Sequence, residues 1–179
     1  PDREFSNVTK KLTVRTWESK LVPDVNEFSL DDYPMKGKGV KIMRFGLAGT
    51  TYGCHIQEFP AGSRSLFHRH GPGAIVCVTQ GEGFAMVWRE GEERTGFEIK
   101  SGSIYSPGDL MYHGHFNTGH GTLRHFAMRG RTPKYSQDRF RTKLHEMIPF
   151  EEDPPEIHPM FLEELKRKGV KSEISVVEE

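Results

Sequence analysis

Two pairs of histidines have a spacing that suits chemistry on a β-strand. His68 and His70 stand two residues apart before a Gly-Pro-Gly turn, and His113 and His115 repeat the spacing later in the chain. Residues i and i+2 of a strand point to the same side, so each pair presents two imidazoles to one face. Imidazoles that face one cavity are costly to bury unless they share a cation or hydrogen-bond partners. One such pair is more often a surface feature or a hydrogen-bonded core pair, but the second pair favours a metal site.

The stretches that must position these histidines are short runs rich in Val, Ile, Phe, Tyr and Thr, between about residues 39 and 130. Gly and Pro separate the runs at regular intervals, which predicts an antiparallel sandwich or barrel. Residues 1–38 form an N-terminal arm that adds edge strands or a helix. Residues 131–179 form a C-terminal extension with a short helix, and such arms suggest a homodimer or a larger homo-oligomer.

The helix in the extension is predicted over HPMFLEELKRKG. Phe161, Leu162 and Leu165 share one face, and Gly169 is a C-terminal stop. That face should pack on the barrel or on a partner chain.

Composition excludes several classes of function. Lys plus Arg equals Asp plus Glu at 25 each, so there is no electrostatic case for a nucleic-acid partner. No apolar run reaches the roughly 20 residues of a membrane helix, so no membrane partner is expected. Cys54 and Cys77 are the only cysteines. We interpret them as two buried free thiols of a cytoplasmic protein.

Two segments resemble the two motifs of the cupin superfamily. The matching positions are Gly62, His68, His70 and Gly81 in the first motif and Gly102, His113 and Asn117 in the second. In the second motif Pro107 is one residue early and Leu110 replaces a glycine. The resemblance implies an all-β cupin fold, a double-stranded β-helix or jelly-roll barrel, over residues 39–130.

One departure from the first motif concerns the metal ligands. Ala74 stands where the usual glutamate ligand would be, which leaves His68, His70 and His113. This pattern looks like the gentisate and salicylate dioxygenase branch, which uses a three-His Fe(II) site. The resemblance implies a mononuclear non-haem iron dioxygenase that cleaves a small aromatic or enolic substrate with dioxygen. Imidazole ligands also accept Zn, Mn, Ni or Cu, so the metal stays open.

His115 and Gln57 are the candidate catalytic residues beside the metal. His115 could be a fourth ligand, which would suit a structural zinc. We assign it instead to a supporting position behind the ligands or to proton transfer from the substrate, because the match of Asn117 to the second motif makes His113 the ligand. Gln57 shares a strand face with His55 and could hydrogen-bond to substrate or oxygen. Capping of a backbone group by Gln57 is an equal alternative.

A second departure concerns the substrate. The gentisate-type enzymes carry an arginine in the strand after the first histidine pair, and this chain has only AIVCV there. Arg64 and Arg124 could replace it by position, although an ordinary surface or edge role fits each of them better. His125 is better interpreted as an ordinary packed or exposed histidine than as a barrel-lining one. Tyr105 could donate to a bound oxygen.

Two further functions stay open. The first is an oxygen-independent metal-dependent isomerase, decarboxylase or lyase, which three histidines would serve equally well. The second is a non-catalytic cupin that binds a small ligand.

Overall fold

The computed structural model describes residues 9–47, 52–130 and 145–174. Short β-branched and aromatic runs form most of the strands, and one amphipathic helix follows them. The strands are β1 (Thr9–Thr13), β2 (Thr16–Ser19), β3 (Asp31–Asp32), β4 (Lys41–Leu47), β5 (Tyr52–Phe59), β6 (Phe67–His70), β7 (Ile75–Gln80), β8 (Glu82–Trp88), β9 (Thr95–Lys100), β10 (Ile104–Tyr105), β11 (Tyr112–Asn117), β12 (Leu123–Gly130) and β13 (His145–Ile148). The helix is α1 (Ile157–Lys168), and Pro34–Lys36 and Phe150–Glu152 form single 3₁₀ turns.

The strands of the described residues form two sheets. The eight-stranded sheet has the order β1-β2-β4-β5-β12-β7-β10, with β3 beside β4, and the five-stranded sheet has the order β13-β6-β11-β8-β9. Neighbours in each sheet are often far apart in sequence, because the chain crosses repeatedly from one sheet to the other. Val78 and Leu123 of the larger sheet share an apolar cluster with Ala85 and Ile99 of the smaller one. The two sheets therefore face each other across a common interior.

The N-terminal arm covers the outer face of the larger sheet. It contributes β1, β2 and β3, and β2 runs parallel to β4. Its apolar side chains, among them Trp17 and Phe28, pack on Phe45, Cys54 and Ile56. Because Cys54 and Ile56 point outward, the alternation of β5 turns His55 and Gln57 toward the interior. Both cysteines are free thiols, Cys54 buried and Cys77 partly exposed.

The C-terminal helix lies on the outer face of the smaller sheet. Ile157, Phe161 and Leu165 are buried against aromatic side chains that include Trp88. Gly169 ends the helix in the left-handed conformation, with φ of 68°. The predicted helix and its stop are therefore confirmed. His158 lies in its first turn.

Strand β13 is absent from the sequence interpretation. It has only four residues, two of them apolar, and it pairs with β6. Pairing with an existing strand edge decides its structure more than its own composition does.

Two motif glycines are required by close backbone approaches. Gly62 and Gly81 have φ of 70° and 81°, where side chains other than glycine's are strained. A Cβ atom would lie 1.9 Å from the Lys171 carbonyl oxygen at Gly62, and 2.3 Å from the Thr122 carbonyl oxygen at Gly81.

In the part of the chain that the structure describes, no helix combines the length and apolar character needed to span a bilayer.

Candidate metal centre

Three histidines from β6 and β11 converge in the interior. His113 stands opposite His68 in the antiparallel register, and their ring centroids are 4.1 Å apart. The His70 centroid lies 5.0 Å from that of His113 and 5.7 Å from that of His68. One ring nitrogen of each lies within 4.8 Å of the others, and all three residues are buried. The structure thus brings together the three residues that the sequence proposes as metal ligands.

A backbone carbonyl orients each of these rings. The Nδ1 atoms lie 3.2 Å, 3.0 Å and 3.0 Å from carbonyl oxygens, in the pairs His68–Leu66, His70–Pro72 and His113–Met111. When Nδ1–H donates to a carbonyl, Nε2 carries the lone pair, which is the form that binds a metal. The Gly-Pro-Gly turn after His70 supplies one of these carbonyls.

Burial keeps the ligand rings neutral. Desolvation, followed by electrostatic repulsion from His113 and Arg129, lowers the pKa of His70 to about 2. Desolvation, followed by the charge of Lys36, holds the pKa of His68 well below its usual range. Neutral imidazole is the ligating form, so these rings do not need to lose a proton before a metal binds.

His115 lies beside the three histidines and is held by a tyrosine. Its ring centroid is 5.8 Å from that of His113, and its Nδ1 lies 2.5 Å from the Tyr105 hydroxyl. Burial raises the pKa of Tyr105 and lowers that of His115, so both are neutral. The phenol can then donate to Nδ1, which leaves the imidazole proton on Nε2. This geometry suits a proton carrier better than a fourth ligand.

The larger sheet adds a second row of polar side chains to the interior. Gln57 pairs in register with His125, and the His125 ring lies 4.7 Å from that of His115 and 5.8 Å from that of His55. The interpretation of His125 as an ordinary histidine was wrong, because β12 is central in its sheet and its inward face lies over the candidate site. In the described ranges, Gln57 Nε2 and His125 Nδ1 are buried without a hydrogen-bond partner.

The sequence interpretation missed three cationic side chains that lie around this interior. Arg44 pairs in register with His55 on β4, and Arg129 lies two residues after Ala127, which also pairs with His55. The third, Lys36, is 5% exposed in its 3₁₀ turn. The alternation His125-x-Ala127-x-Arg129 on β12 could have indicated Arg129. The path of the N-terminal arm, which decides the position of Lys36, has no such pattern.

Neither of the two arginines proposed by position reaches the site. Arg64 is 2% exposed and forms an ion pair with Asp153. Arg124 is 3% exposed and pairs with Glu58, while it also donates to the carbonyls of the N-terminal arm. Both are buried structural arginines. Arg64 reaches one carboxylate of the C-terminal extension, and Arg124 reaches Glu58 and two carbonyls of the N-terminal arm.

Several large side chains of β8 and β11 point away from the three histidines, as strand alternation requires. Phe84, Met86 and Trp88 point away from the centre, two of them in the cluster beneath α1 and Phe84 against it. Tyr112 also points away and donates to Glu146, 2.7 Å distant. Ala74 and Val76 form an apolar wall beside Tyr105.

Comparison with known proteins identifies similar structures but no sequence family. No protein-family model matches the chain, and no curated protein sequence matches it. A tryptophan-to-tyrosine variant of Bacillus subtilis oxalate decarboxylase is similar with a TM-score of 0.51 and 15% identity, over 56% of this chain and 28% of that chain. A serine-to-alanine variant of the same enzyme gives a TM-score of 0.54 and 13% identity, over 69% and 31%. A structure concerned with the Mn(II) centres of this enzyme gives 0.50 and 15%, over 56% and 28%.

These similarities identify the fold. The matched region spans less than a third of the oxalate decarboxylase chains, at identities that carry no activity across. Within residues 9–47, 52–130 and 145–174, the strands form two facing sheets and not one closed barrel. The fold is the cupin jelly roll, as the two motifs predicted.

Proposed function

We propose that this chain is a metal-dependent enzyme that cleaves a carbon–carbon bond of a small carboxylate substrate without dioxygen, as a decarboxylase or lyase does. The observation that carries the proposal is the common orientation of His68, His70 and His113, each with Nδ1 on a carbonyl. Three buried neutral nitrogen donors suit Mn, Fe, Zn, Ni or Cu in the divalent state. The likeness to oxalate decarboxylase structures supports this reading over the dioxygenase.

A bound ion would act as a Lewis acid that polarises the substrate oxygens. The chain's own residues would supply the rest. Decarboxylation releases CO₂ and leaves an electron pair on carbon, which must take up a proton. The Tyr105–His115 pair is the proton carrier beside the ligands. Gln57 offers a buried amide N–H to a substrate oxygen, and the wall of Ala74 and Val76 excludes water.

The iron dioxygenase is the second candidate. It is favoured by Ala74, which is 4% exposed in an apolar cluster where a cupin glutamate ligand would stand. Without a carboxylate ligand, an iron ion keeps its full charge and open positions for an anionic substrate and dioxygen.

Anaerobic turnover separates the two candidates. Protein loaded with Mn(II) or Fe(II) is incubated with oxalate, malonate, 2-oxo acids, gentisate and a β-diketone, and CO₂ and dissolved oxygen are followed. The proposal predicts CO₂ release in the absence of oxygen. His113→Gln should lose this CO₂ release, and the exposed His120→Asn control should keep it. Strict dependence on oxygen would overturn it in favour of the dioxygenase. A chain that takes up neither Mn(II) nor Fe(II) and shows no turnover would overturn it in favour of a ligand-binding cupin.

A further inference from the structure

The interior around the three histidines carries positive charge from three separate elements. Lys36 comes from a 3₁₀ turn, Arg44 from β4 and Arg129 from β12. Arg44 and Arg129 lie on the face of the larger sheet that carries His55. The main-chain carbonyl of Lys36 accepts from the Leu66 amide, 2.9 Å away, which ties this turn to the segment that enters β6.

The three cations also affect the pKa values of one another and of the histidines. Burial first, and then the charges of Arg44 and Arg129, hold the pKa of Lys36 well below its usual range. The charge of Lys36 in turn acts on His68, His70 and His115. No carboxylate is among the groups that shift these pKa values in the described part of the chain.

The three cations, one buried and two partly buried, lack the ion pairs that the two almost fully buried arginines of the described residues have. Arg64 and Arg124, both almost fully buried, each pair with a carboxylate. Across the described ranges, Lys36, Arg44 and Arg129 have no ion pair, and Arg44 contacts the Tyr33 ring with its guanidinium carbon 4.9 Å from the centroid. Buried charges without a countercharge are strongly unfavourable. A divalent metal at the centre would add to the positive charge.

We propose that Lys36, Arg44 and Arg129 form a subsite for a second anionic group of the substrate, remote from the group that binds the metal. The substrate class is therefore a small dicarboxylate. One carboxylate lies at the metal and the other among the three cations. The two arginines supply planar N–H donors that suit a carboxylate, while Lys36 adds a third donor group. The subsite deepens the proposed function, since it assumes a metal at the three histidines.

Calorimetric titration of the Mn(II)-loaded chain tests the subsite. The probes are malonate, succinate and glutarate, each beside its mono-amide, and acetate as a ligand for the metal alone. We expect the best dicarboxylate to bind at least tenfold more tightly than its own mono-amide. Lys36→Met and Arg129→Gln should each weaken its binding at least tenfold and leave acetate within about threefold. Lys41→Met, an exposed charge removal on β4, is the matched control and should change neither.

Equal affinity for dicarboxylate and mono-amide would overturn the subsite, and that comparison needs no variant. Unchanged dicarboxylate binding in Lys36→Met and Arg129→Gln, with Mn(II) content intact, would also overturn it. Arg129→Lys, which keeps the charge, should retain most of the affinity. Failure of the proposed function gives a different result: the dicarboxylate binds with the predicted selectivity, but no CO₂ is released.

Discussion

At the scale of single residues, the site depends on which nitrogen of each imidazole carries the proton. The carbonyls of Leu66, Pro72 and Met111 accept hydrogen bonds from the Nδ1–H groups. This leaves Nε2 as the ligand atom on all three rings. His115 has a phenol at the corresponding nitrogen instead. This difference in partner separates three ligands from one proton carrier, although all four histidines are buried.

Substitution of individual histidines tests this division. His68→Gln or His113→Gln should reduce bound metal to near zero, because each removes one of three nitrogen donors. His115→Gln should keep about one ion per chain and lose most of the turnover, because it removes the proton carrier. Metal content by mass spectrometry is the measurement, and loss of the ion in His115→Gln would show a fourth ligand.

Buried histidines of both sheets make the stability of the metal-free protein depend on pH, and two of them, on the larger sheet, lie outside the ligand set. Burial lowers the pKa of His125 to about 3 and holds that of His55 well below its usual range. In the unfolded chain both titrate near 6.5. Above this pH both states are neutral and the two residues contribute nothing. Below it only the unfolded state gains protons, so the free energy of unfolding should fall by about 1.4 kcal/mol per pH unit for each residue.

Denaturant unfolding of metal-free protein between pH 7 and pH 5 measures this slope. His125→Gln should reduce the slope by about 1.4 kcal/mol per pH unit, which is the contribution of one histidine. A stability that does not change over this range, or a variant with the wild-type slope, would contradict the assignment of neutral buried rings.

The histidine pairs were predictable at this scale because spacing alone puts them on one strand face. The roles of Arg64 and Arg124 were not, because their partners Asp153 and Glu58 are distant in sequence or lie on another strand. Lys36 was missed for the same reason, since the turn that holds it gains its position from contacts with Leu66 and Val40.

At the scale of elements, the C-terminal extension binds to the rest of the fold through an ion pair and through the apolar face of its helix, which packs on the smaller sheet. Arg64 pairs with Asp153, and its guanidinium carbon lies 4.3 Å from the Phe150 ring centroid. Burial raises the pKa of Asp153 against the opposing effect of Arg64. The pair is thus sensitive to the loss of either partner.

Removal of one partner of this pair should be strongly destabilising. Arg64→Met leaves Asp153 buried without its countercharge and should reduce the free energy of unfolding by about 3–5 kcal/mol. The double variant Arg64→Met/Asp153→Leu should recover most of that loss. Urea unfolding gives both values. A double variant no more stable than Arg64→Met would show that packing of the arginine matters more than its charge.

The packing of the apolar face of α1 on the smaller sheet should contribute strongly to stability. Phe161 is fully buried against Phe116, with ring centroids 5.4 Å apart. Phe161→Ala should reduce the free energy of unfolding by about 3–5 kcal/mol, because it leaves a cavity beneath the helix. Glu163→Ala on the exposed face is the control and should stay within about 0.5 kcal/mol. Equal stability of the two variants would contradict the docking of α1.

The sequence predicted the elements well where local pattern decides them. The strands from β4 to β12 that were expected from their composition all occur, and α1 ends at the predicted glycine. Strands β2 and β3 pair with β4, β1 pairs with β2, and β13 pairs with β6. Because these pairings decide the four strands, their own residues indicate them poorly.

At the scale of the whole molecule, the jelly roll divides its interior into two regions. One is apolar and contains Phe59, Val78 and Leu123. The other contains the histidines and cations, and the Phe59 ring joins the two at 5.6 Å from both His115 and His125. Several hundred solved chains match this fold, so the fold itself does not select the reaction. The charge and ligands of the polar region must do so.

The central claim is that one metal ion binds to three imidazoles. A crystal structure of the Mn(II)-soaked protein, with anomalous data at the manganese edge, tests it most directly. The account predicts a single anomalous peak within bonding distance of Nε2 of His68, His70 and His113, with each Nδ1 still on its carbonyl. A peak held by Nδ1 atoms, a peak bonded to His115 in place of one of the three, or a peak elsewhere in the chain would contradict it.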